Sequence, residues 1–507
     1  MKFIHLTRIG LSGLAWSLAV TVTAENWPTW RGPAANGVAP GGNPPTVFSE
    51  SKNVQWKTKL PGSGSSTPVI WGDQVFIMTA EKTGKKVAAG GESREREQGV
   101  ERSQQPGGER SEGRGRGEQG SRGGERPRPD GDRSSRGRER PRPDGERSER
   151  GGERSRRSGR SSRGRGGFGG GSKPTEEYRF VLISFDRNTG KENWRRVAAT
   201  QVPHEGHHRD HGYASGSPVT DGEHIIVSFG SRGLYCYDMK GKLQWKKDFG
   251  DMRMRNSFGE GTSPALHGDT VVLLWDHEGD SALYALDKKT GKLKWKNDRN
   301  EASGWCTPVV TIHDGVTQVI VNGTRAVRSY QLSDGKLLWQ CSGQTSNAIP
   351  SIVVDENFAY AMSGFRGAHL AAIRLGGSGD LTDSKSVTWT ANRGTPYTPS
   401  PLLSNGRIWY LSGNNGILSV RDTKSGKLLV EGERLDGVSG VYASPVSAGG
   451  RVYIAGRNGT VSVLKDSAKL EVLATNELDE KFDCSPAIVD NQIFLRGKEN
   501  LYCIATQ

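Results

Sequence analysis

The residues best suited to chemistry lie in one segment that is rich in histidine, residues 203–213, here called the histidine loop. It reads Pro-His-Glu-Gly-His-His-Arg-Asp-His-Gly-Tyr and holds four of the chain's 10 histidines. Neutral imidazoles are good ligands for zinc, copper or nickel. One interpretation is therefore a transition-metal site at His204, His207, His208 and His211. The interpretation that we favour is a polar lid whose histidines only form hydrogen bonds.

The first part of this loop also has the spacing of a zinc-protease motif, in which two histidines flank a glutamate that acts as base. His204, Glu205 and His208 fit that pattern. The chemistry needs a helix to bring both histidines to one face, but Gly206 weakens a helix and the segment joins two predicted strands. A metal site without hydrolysis is therefore favoured over a hydrolase.

The rest of the chain is built from a repeated unit that must position this loop. Each unit begins with Ser or Thr followed by Pro. Each ends with a second signature, in which Asp is followed by Gly-Lys and then by Trp, as from Asp287 to Trp295. Asp and Gly favour a tight turn, and the Trp can pack between neighbouring units. The starts are Thr67-Pro68, Ser217-Pro218, Ser263-Pro264, Thr307-Pro308, Pro350-Ser351 (a degenerate copy), Ser400-Pro401, Ser444-Pro445 and Ser485-Pro486.

These units predict an all-β fold, an eight-bladed β-propeller of four-stranded antiparallel blades. A period of about 40–45 residues with alternating apolar residues is typical of a propeller blade and not of a helical solenoid. The last unit supplies only three strands, and residues 54–58, which include Trp56, supply a fourth. We expect this N-terminal strand to pair into the last blade, which leaves no open sheet edge at the seam.

These signatures resemble the PQQ-like repeats of the quinoprotein superfamily. Its members include quinoprotein alcohol dehydrogenases and the eight-bladed lipoprotein of the outer-membrane barrel-assembly machine. The opening Trp27-Pro28-Thr29-Trp30-Arg31-Gly32-Pro33 is similar to that of secreted planctomycete-type propellers. The resemblance is specific for the fold, because the repeated Trp and Asp-Gly positions are structural.

The resemblance implies a cofactor pocket where loops from strand four and hairpins between strands two and three surround the channel mouth. Glu260, Asn347 and Asp483 are the kinds of oxygen ligand that hold calcium beside PQQ in the enzymes, and Trp305 could be an aromatic platform. An ordinary loop residue is the alternative at each position. The residues just before the repeat starts are Ser65, Ser215, Glu260, Trp305, Asn347, Tyr397, Tyr442 and Asp483.

The sequence lacks two features of the quinoprotein enzymes. Quinoprotein alcohol dehydrogenases typically carry a disulfide between adjacent cysteines over the cofactor, and this sequence has no Cys-Cys pair. Their catalytic aspartate also has no counterpart here by motif. The five cysteines are interpreted as small buried hydrophobic residues, with a Cys306–Cys341 or Cys484–Cys503 disulfide as the alternative.

Basic residues are concentrated in two places. Residues 91–170 hold 22 Arg, no Lys and 15 acidic residues, a net charge of +7 out of the +14 of the whole chain. An arginine also occurs in most predicted hairpins between strands two and three: Arg232, Arg325, Arg366, Arg457 and Arg496. A carboxylate-rich or sulfated envelope polymer or an acidic protein surface would suit such a face, and a ring of solvated arginines is the alternative.

The organisation follows from these patterns. Residues 1–24 are predicted to be a cleaved signal peptide, 25–52 an N-terminal extension and 53–507 the propeller. Residues 84–174 are predicted to be a disordered Arg/Gly/Glu/Ser-rich insert in blade 1, because such a composition cannot bury enough apolar surface. Its interleaved acidic residues and the export signal argue against nucleic acid.

We therefore expect a monomeric, periplasmic or extracellular propeller that binds or scaffolds a protein or an anionic envelope polymer without catalysis. No segment after the signal is expected to cross a membrane. One alternative is a quinoprotein-like oxidoreductase with PQQ and calcium. A second is a metal-binding protein that acts through residues 204–211.

Overall fold

A computed structural model describes residues 25–86 and 170–506 of the chain. The predicted signal peptide and most of the predicted insert lie outside these residues. The described part is built almost entirely of strands, with two short 3-10 turns at Gly230–Arg232 and Arg255–Ser257. None of its helices is long and apolar enough to span a bilayer.

The strands form eight sheets, and the first strands of neighbouring blades contact one another around a central channel. The N-terminal extension holds β1 (Val38–Ala39), and β2 (Val54–Lys59) follows it. Blade 1 holds β3 (Val69–Trp71), β4 (Gln74–Lys86), β5 (Glu176–Asp186) and β6 (Glu192–Gln201). Blade 2 holds β7 (Val219–Thr220), β8 (His224–Ser228), β9 (Leu234–Asp238) and β10 (Leu243–Lys247). Blade 3 holds β11 (Ala265–His267), β12 (Thr270–Trp275), β13 (Ala282–Asp287) and β14 (Leu293–Asp298).

The other five blades repeat this order. Blade 4 holds β15 (Val309–His313), β16 (Val316–Val321), β17 (Val327–Gln331) and β18 (Leu337–Cys341). Blade 5 holds β19 (Val353–Val354), β20 (Phe358–Ser363), β21 (His369–Arg374) and β23 (Val387–Ala391), and its β22 (Gly379–Asp380) crosses to the edge of blade 4. Blade 6 holds β24 (Leu402–Ser404), β25 (Arg407–Leu411), β26 (Ile417–Asp422) and β27 (Leu428–Arg434). Blade 7 holds β28 (Val446–Ala448), β29 (Arg451–Ala455), β30 (Thr460–Lys465) and β31 (Val472–Glu477). Blade 8 holds β32 (Ala487–Val489), β33 (Gln492–Arg496) and β34 (Asn500–Ala505).

The ring closes as the sequence predicts. Strand β2 pairs antiparallel with β34 as the outer strand of blade 8, and Trp56 faces Cys503 while Lys57 faces Tyr502. The eight-bladed fold and its closure by the N-terminal strand are thereby confirmed. The predicted boundaries of the insert lie close to a hairpin, because β4 and β5 pair as far as Lys86 and Glu176, so residues 84–86 are part of a strand.

The repeated Trp and Gly join neighbouring blades. A Cβ atom on Gly291 of blade 3 would lie 2.7 Å from the indole of Trp245 of blade 2, so only glycine allows this stacking. The Trp245 Nε1 atom also donates a hydrogen bond of 2.7 Å to the Lys288 carbonyl oxygen. The same stacking joins Trp56 to Gly190, Trp194 to Gly241, Trp295 to Gly335 and Trp389 to Gly426.

The N-terminal extension crosses the channel, which the sequence did not reveal. The Pro28 carbonyl oxygen accepts a hydrogen bond from the Thr220 amide of blade 2. The Arg31 guanidinium donates to the Pro401 carbonyl oxygen, at the start of blade 6 on the opposite side of the ring. Strand β1 then adds in parallel to β28, the innermost strand of blade 7. The extension therefore closes one side of the channel.

All five cysteines are free and buried. The interpretation as small buried residues holds in this structure, and neither the Cys306–Cys341 nor the Cys484–Cys503 disulfide is formed. The Cys306 thiol instead donates to the Asn322 carbonyl oxygen at 3.0 Å.

Candidate functional site

A large cavity, here called the mouth cavity, has a volume of about 730 Å³ and opens where the strand-four loops and the hairpins surround the channel. Seven of the eight residues predicted to line this face do so: Ser65, Ser215, Trp305, Asn347, Tyr397, Tyr442 and Asp483. Glu260, the eighth, lies instead in a smaller neighbouring cavity. What these residues bind stays a prediction.

The N-terminal extension supplies the floor of the mouth cavity. Trp30 lines the cavity, and Arg31 is buried beside it with its guanidinium 5.9 Å from the indole. Arg31 donates to the carbonyl oxygens of Pro401 and Pro445, each at 2.8 Å. In the described residues no carboxylate lies within 4.0 Å of this guanidinium, and burial lowers the pKa of Arg31 to about 9. A buried and uncompensated cation therefore lies under the cavity floor.

Side-chain hydroxyl groups form a belt around the inner wall. In each step of this belt, the backbone amide of one repeat's Ser or Thr donates to the side-chain oxygen of the next repeat's Ser or Thr. These bonds of 2.8–2.9 Å fix the spacing of the innermost strands. They join Thr67 to Ser217, Ser217 to Ser263, Thr307 to Ser351, Ser351 to Ser400, Ser400 to Ser444 and Ser444 to Ser485.

Aromatic rings and arginines form the outer wall. Phe365 stacks on Tyr397 with ring centroids 4.9 Å apart, and the Arg366 guanidinium lies 5.3 Å from the Phe365 centroid. Arg255 reaches across the mouth and donates to the Asn347 Oδ1 atom at 3.2 Å. The Trp305 Nε1 atom donates to the Gly259 carbonyl oxygen at 2.7 Å, which fixes the plane of its indole. The wall thus offers flat apolar faces beside guanidinium groups.

The histidine loop reaches across the mouth and is held on the far side. The Asp210 carboxylate accepts a hydrogen bond of 3.0 Å from Arg457 of blade 7 and one of 3.3 Å from the Tyr442 hydroxyl. Arg457 also binds Asp483 at 2.5 Å and lies 4.1 Å above the Tyr442 ring. Asp210 is a functional candidate that the sequence analysis missed, since its partners are more than 200 residues away.

The structure does not gather the four predicted metal ligands of the histidine loop. His207 Nδ1 contacts the His208 carbonyl oxygen at 2.7 Å, and His208 packs edge-on against Phe258. His211 Nδ1 accepts hydrogen bonds from the Ser215 hydroxyl at 2.6 Å and the Gly212 amide at 2.9 Å. Burial, with nearby His207 and His208, lowers the pKa of His211 to about 4. These three rings therefore act as hydrogen-bonded wall residues.

His204 lies elsewhere, in the smaller cavity of about 40 Å³, here called the side cavity. Its ligand atoms and those of Glu205 and Glu260 all lie within 4.8 Å of one another. Burial raises the pKa of Glu205 to about 6 and that of Glu260 to about 7. The carboxylate of Glu260 also accepts hydrogen bonds from the amide and hydroxyl of Ser231.

The three oxygen ligands predicted for calcium are engaged separately. Glu260 is bound by Ser231 in the side cavity, Asn347 by Arg255, and Asp483 by Arg457. They also come from three loops, which follow blades 2, 4 and 7. These residues as placed do not fit a calcium ion that would position PQQ.

The arginines predicted in the hairpins differ in their surroundings. Arg496 is buried and donates to the Ser66 and Met78 carbonyl oxygens at 3.0 and 2.7 Å. Arg232 is buried and ion-paired with Asp251, whereas Arg325 is exposed. Arg366 lines the mouth cavity and Arg457 holds Asp210. Only part of this set is therefore a solvated ring.

Eight four-stranded blades, with Trp–Gly stacking at five of the interfaces between them and a cavity at the channel mouth, define a PQQ-like repeat β-propeller. The chain is a member of this class. A family model described as outer membrane protein assembly factor BamB matches residues 179–430, and no curated protein matches the chain.

Two solved structures are similar to this chain. BamB from Moraxella catarrhalis shares 13% identity with a TM-score of 0.49, over 64% of this chain and 93% of that one. Quinohemoprotein alcohol dehydrogenase from Comamonas testosteroni shares 9% identity with a TM-score of 0.53, over 95% of this chain and 80% of that one. At 9% identity the likeness to the alcohol dehydrogenase shows the fold alone.

Proposed function

We propose that the chain is a non-catalytic binding propeller of the periplasm or cell surface, and that the mouth cavity takes an anionic, ring-bearing segment of an envelope polymer. A carboxylated or sulfated glycan is the ligand class that fits best. The observation that carries the proposal is the composition of the cavity, in which Trp30, Trp305, Phe365, Tyr397 and Tyr442 surround arginine side chains.

Each part of this lining matches one part of such a ligand. Aromatic faces offer a large apolar area for the face of a ring, and few rotatable bonds are frozen on binding. Guanidinium groups bind carboxylates and sulfates with paired hydrogen bonds. The volume of about 730 Å³ is within the usual range of about 300–1,000 Å³ for ligand pockets.

The charge balance of the cavity favours an anion. Arg457 ion-pairs with both carboxylates of the wall, Asp210 and Asp483, which leaves one negative charge. Arg255 and Arg366 face the cavity from the other side, and the buried Arg31 adds its field from below the floor. Glu278 is ion-paired with Arg255, so these groups together leave one positive charge. An anion that enters meets this charge at short range, where water screens poorly.

The test compares binding of polygalacturonate, chondroitin sulfate and neutral dextran to the full chain by calorimetry. We expect the two anionic polymers to bind and dextran not to bind. The double variant Arg255→Gln/Arg366→Gln should weaken binding at least tenfold, which corresponds to about 1.4 kcal/mol. The double variant Lys289→Gln/Lys424→Gln, which removes the same charge from exposed turns at the opposite end of the blades, should bind as wild type does.

Two outcomes would overturn the proposal. The wild-type chain could bind neither anionic polymer. Alternatively, the two double variants could lose affinity equally, which would assign the binding to the net charge of the chain and its Arg-rich residues 91–170. A protein partner, the other class expected from the sequence, would then be the better candidate.

A quinoprotein-like oxidoreductase is the second candidate, because the aromatic floor and the volume of the mouth cavity suit a planar polyanion such as PQQ. PQQ would supply two-electron oxidation of an alcohol when bound. The test mixes the chain with PQQ and Ca²⁺ and measures the cofactor's absorbance after desalting. Since Glu260, Asn347 and Asp483 are engaged separately, we expect no retained PQQ; retention together with alcohol-dependent dye reduction would favour the enzyme.

A further inference from the structure

We propose that the side cavity is a binding site for one divalent transition-metal ion of the zinc type, with His204, Glu205 and Glu260 as its ligands. The site is independent of the mouth cavity and of its proposed ligand. It also differs from the site that the sequence predicts, because it uses one histidine of the histidine loop and two carboxylates.

The geometry of the three ligands carries the proposal. The His204 Nε2 atom lies 3.7 Å from the Glu260 Oε1 atom, and the Glu205 carboxylate completes a group whose ligand atoms lie within 4.8 Å of one another. Ligands about 2.0–2.1 Å from a tetrahedral zinc ion lie about 3.4 Å apart. A small contraction of the group would therefore place all three at bonding distance.

The side cavity is built to bring the Glu260 carboxylate close to the backbone. Gly230 has a φ of +57°, and a Cβ atom there would lie 1.7 Å from the Glu260 Oε2 atom. The amide and hydroxyl of Ser231 fix the orientation of the carboxylate. The volume of about 40 Å³ leaves room for an ion with one or two waters, since one water needs about 10–15 Å³.

The surroundings of the ligands also suit a cation. Glu205, Glu260 and Asp251 bring three carboxylates together, and Arg232 ion-pairs with Asp251. When ionised, the two carboxylate ligands Glu205 and Glu260 carry two negative charges, which one divalent ion neutralises. Carboxylates and one imidazole also form a harder ligand set than the thiolate sites that select copper(I) or iron–sulfur clusters.

Asp251 can act as an outer-shell carboxylate for His204. In this structure, His204 Nε2 contacts the Met252 carbonyl oxygen at 2.6 Å, and Arg232 lies 3.3 Å from Nδ1. Metal binding at Nε2 would break the contact with Met252 and place the ring proton on Nδ1. The ring would then turn from Arg232 toward the Asp251 Oδ1 atom, which lies 3.8 Å from Nδ1. Such carboxylate–histidine–metal arrangements orient the ring and make it a better ligand.

A second group with metal-ligand spacing, Asp221, Glu223 and His224, is less suited to a cation. The Asp221 carboxylate is already bound by the Lys288 ammonium at 2.6 Å. Glu223 is exposed, so this group lacks the enclosure of the side cavity.

The experiment titrates Zn²⁺ into the untagged, chelator-treated full chain by calorimetry and follows Co²⁺ by its visible absorption. We expect one ion per chain. His204→Gln and Glu260→Gln should each weaken Zn²⁺ binding at least tenfold. Glu260→Gln keeps the side-chain size, and its amide oxygen can keep one of the two hydrogen bonds from Ser231. The matched control His207→Ala/His208→Ala removes two neighbouring histidines of the same loop and should bind as wild type does.

Thermal unfolding distinguishes a variant that has lost the metal site from one that has lost its fold. Zn²⁺ should raise the Tm of the wild type and of the control, but not that of folded Glu260→Gln, because an ion that binds only the native state stabilises it. The proposal is overturned if the wild type shows no saturable site. It is equally overturned if the control loses affinity as much as the ligand variants, or if the ligand variants bind as wild type does.

Discussion

The carboxylate of Asp210 lies 3.0 Å from the guanidinium of Arg457, although the first residue follows blade 1 and the second lies in the hairpin of blade 7. The contact spans the mouth of the channel. It is one of the contacts that hold the histidine loop over the mouth cavity.

Asp210→Asn should loosen the histidine loop without unfolding the propeller. Both side chains are partly exposed, and such ion pairs contribute about 0–1 kcal/mol, while Arg457 keeps Asp483 as a partner. Hydrogen exchange should therefore be faster at residues 204–212 and unchanged in the blades. Arg393→Gln, at an exposed position outside the histidine loop, is the control. Unchanged exchange in Asp210→Asn would show that the loop is held by other contacts.

Ser444→Ala should destabilise the propeller through the hydroxyl belt. The Ser444 side-chain oxygen accepts a hydrogen bond of 2.9 Å from the buried Ser400 amide. Without this acceptor the amide stays buried and unpaired, which costs about 1–3 kcal/mol. Chemical denaturation measures the loss, and Ser439→Ala, at an exposed position, is the matched control. Equal stability of the two variants would mean that water or another group replaces the hydroxyl.

The sequence predicts the fold because every blade repeats the same local signals. The Asp-Gly turn and the Trp that follows are read within one repeat, and the stacking of Trp245 on Gly291 is their direct consequence. The missing outer strand of the last unit likewise leads to Trp56 and the closure of the ring. The sequence shows that a Ser or Thr precedes each Pro. It does not show that this residue forms the belt, because the hydrogen bond is made to the neighbouring blade.

The contents of the sites are predicted less well, because they depend on contacts between distant parts of the chain. The repeat register correctly places Trp305 and Asn347 at the mouth cavity, but Trp30 enters it from an extension without a repeat. A loop rich in histidine suggests that its histidines act together. The backbone instead turns His204 toward Glu260, from the loop that follows blade 2, and leaves His211 bonded to Ser215.

Gly291→Ala should destabilise the chain more than Gly268→Ala, although both lie in blade 3. Both glycines have positive φ, +66° and +55°. Alanine should therefore lower the free energy of unfolding by about 1–2 kcal/mol at each position through backbone strain. A Cβ atom on Gly268 meets nothing within 4 Å, whereas one on Gly291 would lie 2.7 Å from the Trp245 indole. The clash should add about 1–3 kcal/mol. Denaturant unfolding compares the pair, and equal losses would contradict the role of the indole.

The five thiols should be unreactive until the chain unfolds. Burial raises the pKa of Cys236, Cys306, Cys484 and Cys503 to about 12 and that of Cys341 to about 11, so little thiolate forms near neutral pH. A colorimetric thiol reagent should react with none of them rapidly in the native chain and with all five in denaturant without reductant. Fewer than five would reveal a disulfide that the structure does not contain.

Ring closure should depend on pH through Glu50. Its carboxylate accepts hydrogen bonds from Lys57 at 3.0 Å, from the Tyr502 hydroxyl at 2.9 Å and from the Asp479 amide at 3.0 Å. Burial alone would raise the pKa of Glu50, but these hydrogen bonds outweigh it, and the pKa falls below its usual 4.5.

Because the folded pKa is the lower one, the carboxylate stabilises the closed ring above pH 4.5, and the gain is lost as the pH falls through the folded pKa. The Tm of the wild type should exceed that of Glu50→Gln by a constant amount at neutral pH, and this difference should shrink as the pH drops below 4.5. Glu477→Gln, at an exposed position on β31, serves as the control. A Tm difference that does not change with pH would mean that the hydrogen bonds of Glu50 survive its protonation, and that ring closure does not depend on the charge of this carboxylate.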